Sequence, residues 1–339
     1  MPTRRIAWQL LPLLCALLFA CAGRAPQPAV PAVPVPPKNP WAWVPEDALA
    51  MGQLRTAPFR ATRIWQWLEQ ARKAHPESGE LLIDIDRVEF VAFGLRARSE
   101  DEVGGVGALE GAWGDGYLGI RAAQRGIAPE QHGLLTFYRT KTGIFAQVNP
   151  NLLLVCSEDF LPWLEKRATE GDAVRAFESP AVQSLGARIG LAEAHLAVIA
   201  DDPQRARDVR NQTQQAPMWI QKQLESAKRM GGSVVMGPST QVALVVETPD
   251  AVRGADLAAE AETKLRGLSN DMFMRMFGFA NLFKVLQVAQ DGAFVSVRGE
   301  LPEPDVTAAV DKVMNMLDMA ESFRKRHGPE GDASAQPAP

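Results

Sequence analysis

Two hydrophobic periods run along this chain. Alternating or continuous apolar stretches bounded by turn residues predict strands at Ala48–Leu54, Val88–Ala97, Val103–Trp113, Leu134–Arg139, Ile144–Val148 and Leu152–Cys156. The second half predicts more, at Leu196–Ala200, Val234–Met236, Gln241–Glu247, Val285–Ala289 and Phe294–Arg298. Thr140-Lys141-Thr142-Gly143, Gly237-Pro238 and Gln290-Asp291-Gly292 sit between strand pairs as hairpin turns. A period near 3.6 predicts helices from Pro58 to Ala74, Tyr117 to Gln124 and Phe160 to Ala168, the last capped by Asp159. Ser179-Pro180, Pro203, Asp250 or its neighbour, and Pro304 open the helices of the second half, of which the one from Pro203 runs to about Met230 with a break at Pro217 and the last ends near His327.

In this order both halves read strand, helix, hairpin, helix, hairpin, helix. The expected fold is α+β: a tandem pair of similar units, residues 41–175 and 176–327, each an antiparallel sheet covered by helices. The tail, 328–339, has the composition of a disordered segment.

The first 21 residues read differently. Arg4 and Arg5 form a positive start, Ile6 to Ala20 carries no charge, and the run ends in Ala20-Cys21. Gln9 and Pro12 break that run, which is shorter than the roughly 20 apolar residues of a membrane span. A signal peptide over 1–20 fits the layout. Leu18-Phe19-Ala20-Cys21 resembles the lipobox of bacterial lipoproteins. The resemblance implies cleavage after Ala20 and a diacylglycerol on the Cys21 sulfur, with acylation of the new amino terminus. In the sorting rule that comes with it, Ala22 in place of aspartate favours the outer membrane. Several acyl chains hold firmly where one binds reversibly, each buried methylene contributing about 0.8 kcal/mol.

Residues 21–40 hold seven prolines between Pro26 and Pro40, which favours an extended polyproline tether reaching on the order of 50 Å. Pro28, Pro31, Pro34 and Pro37 recur at a spacing that would also suit a docking ligand. This tether, with Trp43-Val44-Pro45-Glu46-Asp47-Ala48 after it, is similar to large uncharacterised lipoproteins of Gram-negative envelopes, a resemblance that implies no activity.

Charge narrows the partners. Losing Arg4 and Arg5 takes the formal net charge from −4 to −6, without long blocks of one sign. That argues against nucleic acid and against electrostatic docking on anionic lipid. With Cys15 and Cys21 assigned to the leader and the lipid, Cys156 alone remains and no disulfide framework is expected. Its setting, Leu152-Leu153-Leu154-Val155-Cys156, predicts a buried, inert thiol.

Catalytic motifs do not assemble. Ser322-Phe323-Arg324-Lys325 and Lys141-Thr142-Gly143 match two penicillin-binding signatures in reversed order, with the serine near the end of the last helix. Glu110 stands where Gly-x-Gly-x-x-Gly needs its third glycine, so the glycines of 104–111 suit a bend or bulge in a strand. Asp84 and Asp86 would share a face of an extended segment, but without a calcium-loop context a solvated face is the better reading. The four histidines lie in unrelated contexts, so no metal, cofactor or catalytic set is expected.

One compositional feature stands out: Met272, Phe273, Met276, Phe277, Phe279 and Phe283, within 269–286. Such residues make adaptable apolar surfaces for acyl chains or partner helices, although a helix apolar all round is usually buried, and core is the favoured reading. The functional expectation is a non-enzymatic, lipid-anchored outer-membrane protein that binds or scaffolds other envelope components. The alternative is a carrier or sensor for a hydrophobic ligand that uses this segment as a wall.

Overall fold

A computed structural model describes residues 35–62, 65–66, 69, 82–97, 103–141, 143–200, 227–276 and 278–327. Ala20, Cys21 and the tether as far as residue 34 lie outside the described residues, as do Phe277, most of the helix expected to end at Ala74 and most of the one expected from Pro203. The chain divides into a segment Met1–Val35 and a body Pro36–Pro339, and the body is described below.

The body is built on antiparallel strands: β1 (Ala50–Arg55), β2 (Val88–Ala97), β3 (Val103–Gly111), β4 (Pro129–His132), β5 (Leu135–Arg139), β6 (Ile144–Asn149) and β7 (Leu152–Cys156) in the first half. The second half adds β8 (Leu196–Ala200), β9 (Arg229–Met236), β10 (Ser239–Glu247), β11 (Gln287–Asp291) and β12 (Phe294–Pro302). Their helices are α1 (Ala57–Arg60), α2 (Tyr117–Ala123), α3 (Leu161–Arg167), α4 (Pro180–Ile189), α5 (Ala251–Asn270), α6 (Met272–Met276), α7 (Ala280–Lys284) and α8 (Glu303–His327).

The fold is α+β, but the strands do not form a sheet per unit. All twelve join one antiparallel sheet in the order β11-β12-β10-β9-β8-β1-β2-β3-β7-β6-β5-β4. The halves meet where β1 pairs antiparallel with β8, Gly52 opposite Val198. Outward from that pair the order is β1-β2-β3-β7-β6 on one side and β8-β9-β10-β12-β11 on the other. These are the same sequence of connections, with hairpin β4–β5 added to the first half.

Strand alternation sorts side chains onto two faces. On the back, Ala108, Ala146 and Leu154 pack under Leu161 and Leu164 of α3, and Met51, Ala92, Ala197 and Ile199 pack with Leu185 and Ile189 of α4. On the front of the first half, Leu109, Phe145 and Leu153 pack with Trp113 and with Leu118 and Ala122 of α2. Cys156 is buried in the back core, and burial pushes its thiol up to about 12. Stability rests on these contacts, since burying a large apolar side chain contributes about 1.5–3 kcal/mol.

Several local expectations change. Asp159 does not cap α3; a 3-10 turn, Glu158–Phe160, precedes that helix, and the Asp159 carboxylate lies against Gly104. Gly104 and Gly111 serve close approach, and the one register shift of the β2–β3 pair falls between Val88 and Phe90, opposite Gly111 and Glu110, at the end of the glycine stretch where a bulge was expected. Arg229 and Met230 belong to β9 rather than to the end of a helix. Asp84 and Asp86 are not on an extended segment: Asp84 caps the 3-10 turn Ile85–Arg87, accepting from the Asp86 backbone at 3.2 Å.

Candidate functional site

The front face of the second half is hollow. Cross-strand registers line up three apolar rows there: Leu196, Val234 and Val242; Val198, Gly232, Leu244 and Val297; and Met230, Val246 and Val295. Val198 and Leu244 lie on inner strands yet are 38% and 41% exposed, because among the described residues no side chain fills the space above them. Gly232 deepens the floor between them. A Cβ there would come no nearer than 3.5 Å to any heavy atom, so the missing side chain leaves room.

The roof is α5. Asp250 fixes its start, the side chain accepting from Arg253 N at 2.8 Å. Leu257, Ala261, Leu265 and Leu268 then recur at helical spacing and face the strands, and Leu286 closes one end. The volume of this half-open hollow is about 650 Å³, within the roughly 300–1,000 Å³ of small-molecule sites. Glu260 and Lys264, one turn apart on the roof helix, supply the charged groups of this lining.

The matching place in the first half is filled. Its corresponding row is Gly52, Phe93, Gly107 and Val155, and the Phe93 ring lies where a Gly52 Cβ would be. The short α2 sits directly on Leu109, Phe145 and Leu153. One arrangement of strands therefore carries a sealed core on one side and a cavity on the other.

The described residues of the Met/Phe segment are placed beside this cavity but not in it. The lining brackets the segment at Leu268 and Leu286. Met272, Phe273 and Met276 on α6 are 85%, 54% and 66% exposed, and Phe279 and Phe283 are half-buried. The expectation that these residues form core is corrected for α6. A helix of five residues has too little length to turn an apolar stripe inward, and it follows α5 at the Asp271 break, where the Asp271 side chain accepts from Met274 N at 3.0 Å. Sequence reading missed the true lining because its residues come from four strands, and only their register makes them neighbours.

No family model matches the chain, and no curated protein matches it in sequence. Among solved structures it is similar to crystal form III of TP0453, with a TM-score of 0.47 and 12% identity over 81% of this chain and 98% of that one. Crystal form IV of TP0453 gives a TM-score of 0.47 and 13% identity over 81% of this chain and 96% of that one.

Proposed function

We propose that the body is a carrier or sensor that holds one hydrophobic ligand, such as a fatty acyl chain, between α5 and the front of the second half-sheet. The observation that carries this reading is the apolar hollow with Gly232 at its floor. Sheathing about ten methylenes there would gain about 8 kcal/mol, against at least about 4 kcal/mol for association. Glu260 and Lys264 would meet the polar head. The Cys21 lipobox and proline segment support an address to go with it: a lipid hook at the outer membrane and a spacer that sets how far the body reaches.

The same reading takes residues 41–175 and 176–327 as copies of one α+β unit. The shared strand order supports it, as does the antiparallel β1–β8 pair about which a two-fold rotation would exchange the halves. One copy then kept a closed core while the other opened. A second reading, binding to other envelope proteins, is favoured by the exposure of Met272, Phe273 and Met276.

Titration with a fluorescent polyene fatty acid tests the first reading. The wild-type chain is expected to bind one equivalent at micromolar concentration or tighter, and Gly232→Phe to bind none while keeping its far-UV circular dichroism. Equal binding by the folded variant would contradict the proposal.

A further inference from the structure

The back face holds a second hollow, of about 910 Å³, where residues of the two halves meet. Its floor carries a cross-strand row on three adjacent strands, Arg55, Phe90 and Glu110. The Arg55 guanidinium lies 5.7 Å from the centre of the Phe90 ring and donates one long bond, 3.5 Å, to Ala192 O. Among the described residues neither Arg55 nor Glu110 has an ion-pair partner, and Glu193, exposed at the rim, does not pair with Arg55 either. An aromatic wall stands beside the row, where Trp41 and Phe177 meet edge to face at 4.6 Å. Beneath, buried Gln53 has both amide hydrogens engaged, donating to Leu191 O at 2.8 Å and Ala194 O at 2.6 Å, so it holds the floor rather than a ligand.

The chemistry of this row is specific. A lone anion would use Arg55 only, and a lone cation Glu110 only. A molecule bearing both charges satisfies the two ends. Strands about 4.8 Å apart put the Arg55 and Glu110 backbones roughly 10 Å from each other. A separation of that order is spanned by an extended dipeptide or tripeptide at roughly 3.4 Å per residue. The guanidinium fork suits a terminal carboxylate, Glu110 suits a terminal ammonium, and Phe90 with the Trp41–Phe177 wall suits an apolar or aromatic middle side chain.

We propose that this cleft binds short peptides with free ends, the carboxylate on Arg55 and the amino terminus on Glu110. The site is on the opposite face of the sheet from the acyl cavity and does not depend on it. Isothermal titration calorimetry with Ala-Phe-Ala, its N-acetyl form and its C-terminal amide tests the assignment. The free peptide is expected to bind, and each cap to weaken binding about threefold to fivefold. Arg55→Gln is expected to abolish the difference between acid and amide, and Glu110→Gln the difference between amine and acetyl. Failure of the free peptide to bind at millimolar concentration, equal affinity for the capped forms, or cap sensitivity that survives in folded variants would each overturn the proposal. Both side chains are exposed, so circular dichroism should be unchanged. Should a variant unfold, the capped series on the native chain decides alone.

Discussion

At the scale of single residues, a few buried polar and small side chains decide more than their number suggests. Gln53 is 3% exposed and ties β1 to the loop after α4 through two carbonyls. Gln53→Ala should lower stability by about 1–3 kcal/mol, read as a shifted urea midpoint, because the buried Ala194 carbonyl loses its side-chain donor and the Leu191 carbonyl keeps only Ala194 N. Gly232 predicts the opposite sign. Its backbone is ordinary strand and the space above it is open, so Gly232→Leu should raise stability by about 0.5–1 kcal/mol while displacing ligand. A stabilised variant that still binds acyl probe would place the site elsewhere.

Cys156 offers a pH readout at the same scale. Burial, then the nearby Asp159 carboxylate, pushes its thiol up to about 12 against an ordinary 9.0. The folded state therefore keeps its proton where the unfolded chain loses it. Its contribution to stability is complete below pH 9 and declines as pH rises towards 12. Iodoacetamide at pH 8 should leave Cys156 unmodified in peptide maps of the native chain and alkylate it in urea. Rapid native labelling would show that the back core opens.

At the scale of elements, local chemistry was legible in the sequence and assembly was not. Strands Val88–Ala97 and Leu152–Cys156 fall where their apolar patterns put them, and of the starts read for α5, Asp250 or its neighbour, it is Asp250 that caps the helix. Gly292 closes the β11–β12 hairpin at φ 57°, the backbone that Asp-Gly signals. Strand β4, Pro-Glu-Gln-His, carries no apolar pattern and exists only through its partner β5, so periodicity passed over it. The Met/Phe segment shows the limit from the other side, since composition marks residues as apolar without saying whether a neighbour covers them. On the roof helix the stripe predicts function directly: Leu265→Asp, facing the hollow, should cut acyl-probe affinity at least about tenfold, while exposed Val252→Asp on the same helix should not.

At the scale of the whole molecule, one sheet with the same strand order on either side of β1–β8 accounts for features that looked unrelated along the chain. The single sheet could not be read there, because the β1–β8 pairing joins segments some 150 residues apart. The proposed hook makes a separate prediction. Mass spectrometry of protein extracted from membranes should find Cys21 as the first residue with added acyl mass, and an unmodified terminus on a detergent-free soluble product would remove the anchor from the account.

The central claim is that a ligand lies on the front of the second half-sheet. The most direct test is NMR of methyl-labelled protein with 13C-palmitate. Nuclear Overhauser contacts from the chain to the methyls of Val198, Leu244 and Val297 are predicted, with none to Val106 or Leu154 on the back. Contacts confined to Met272 and Met276, or no contacts at all, would contradict it.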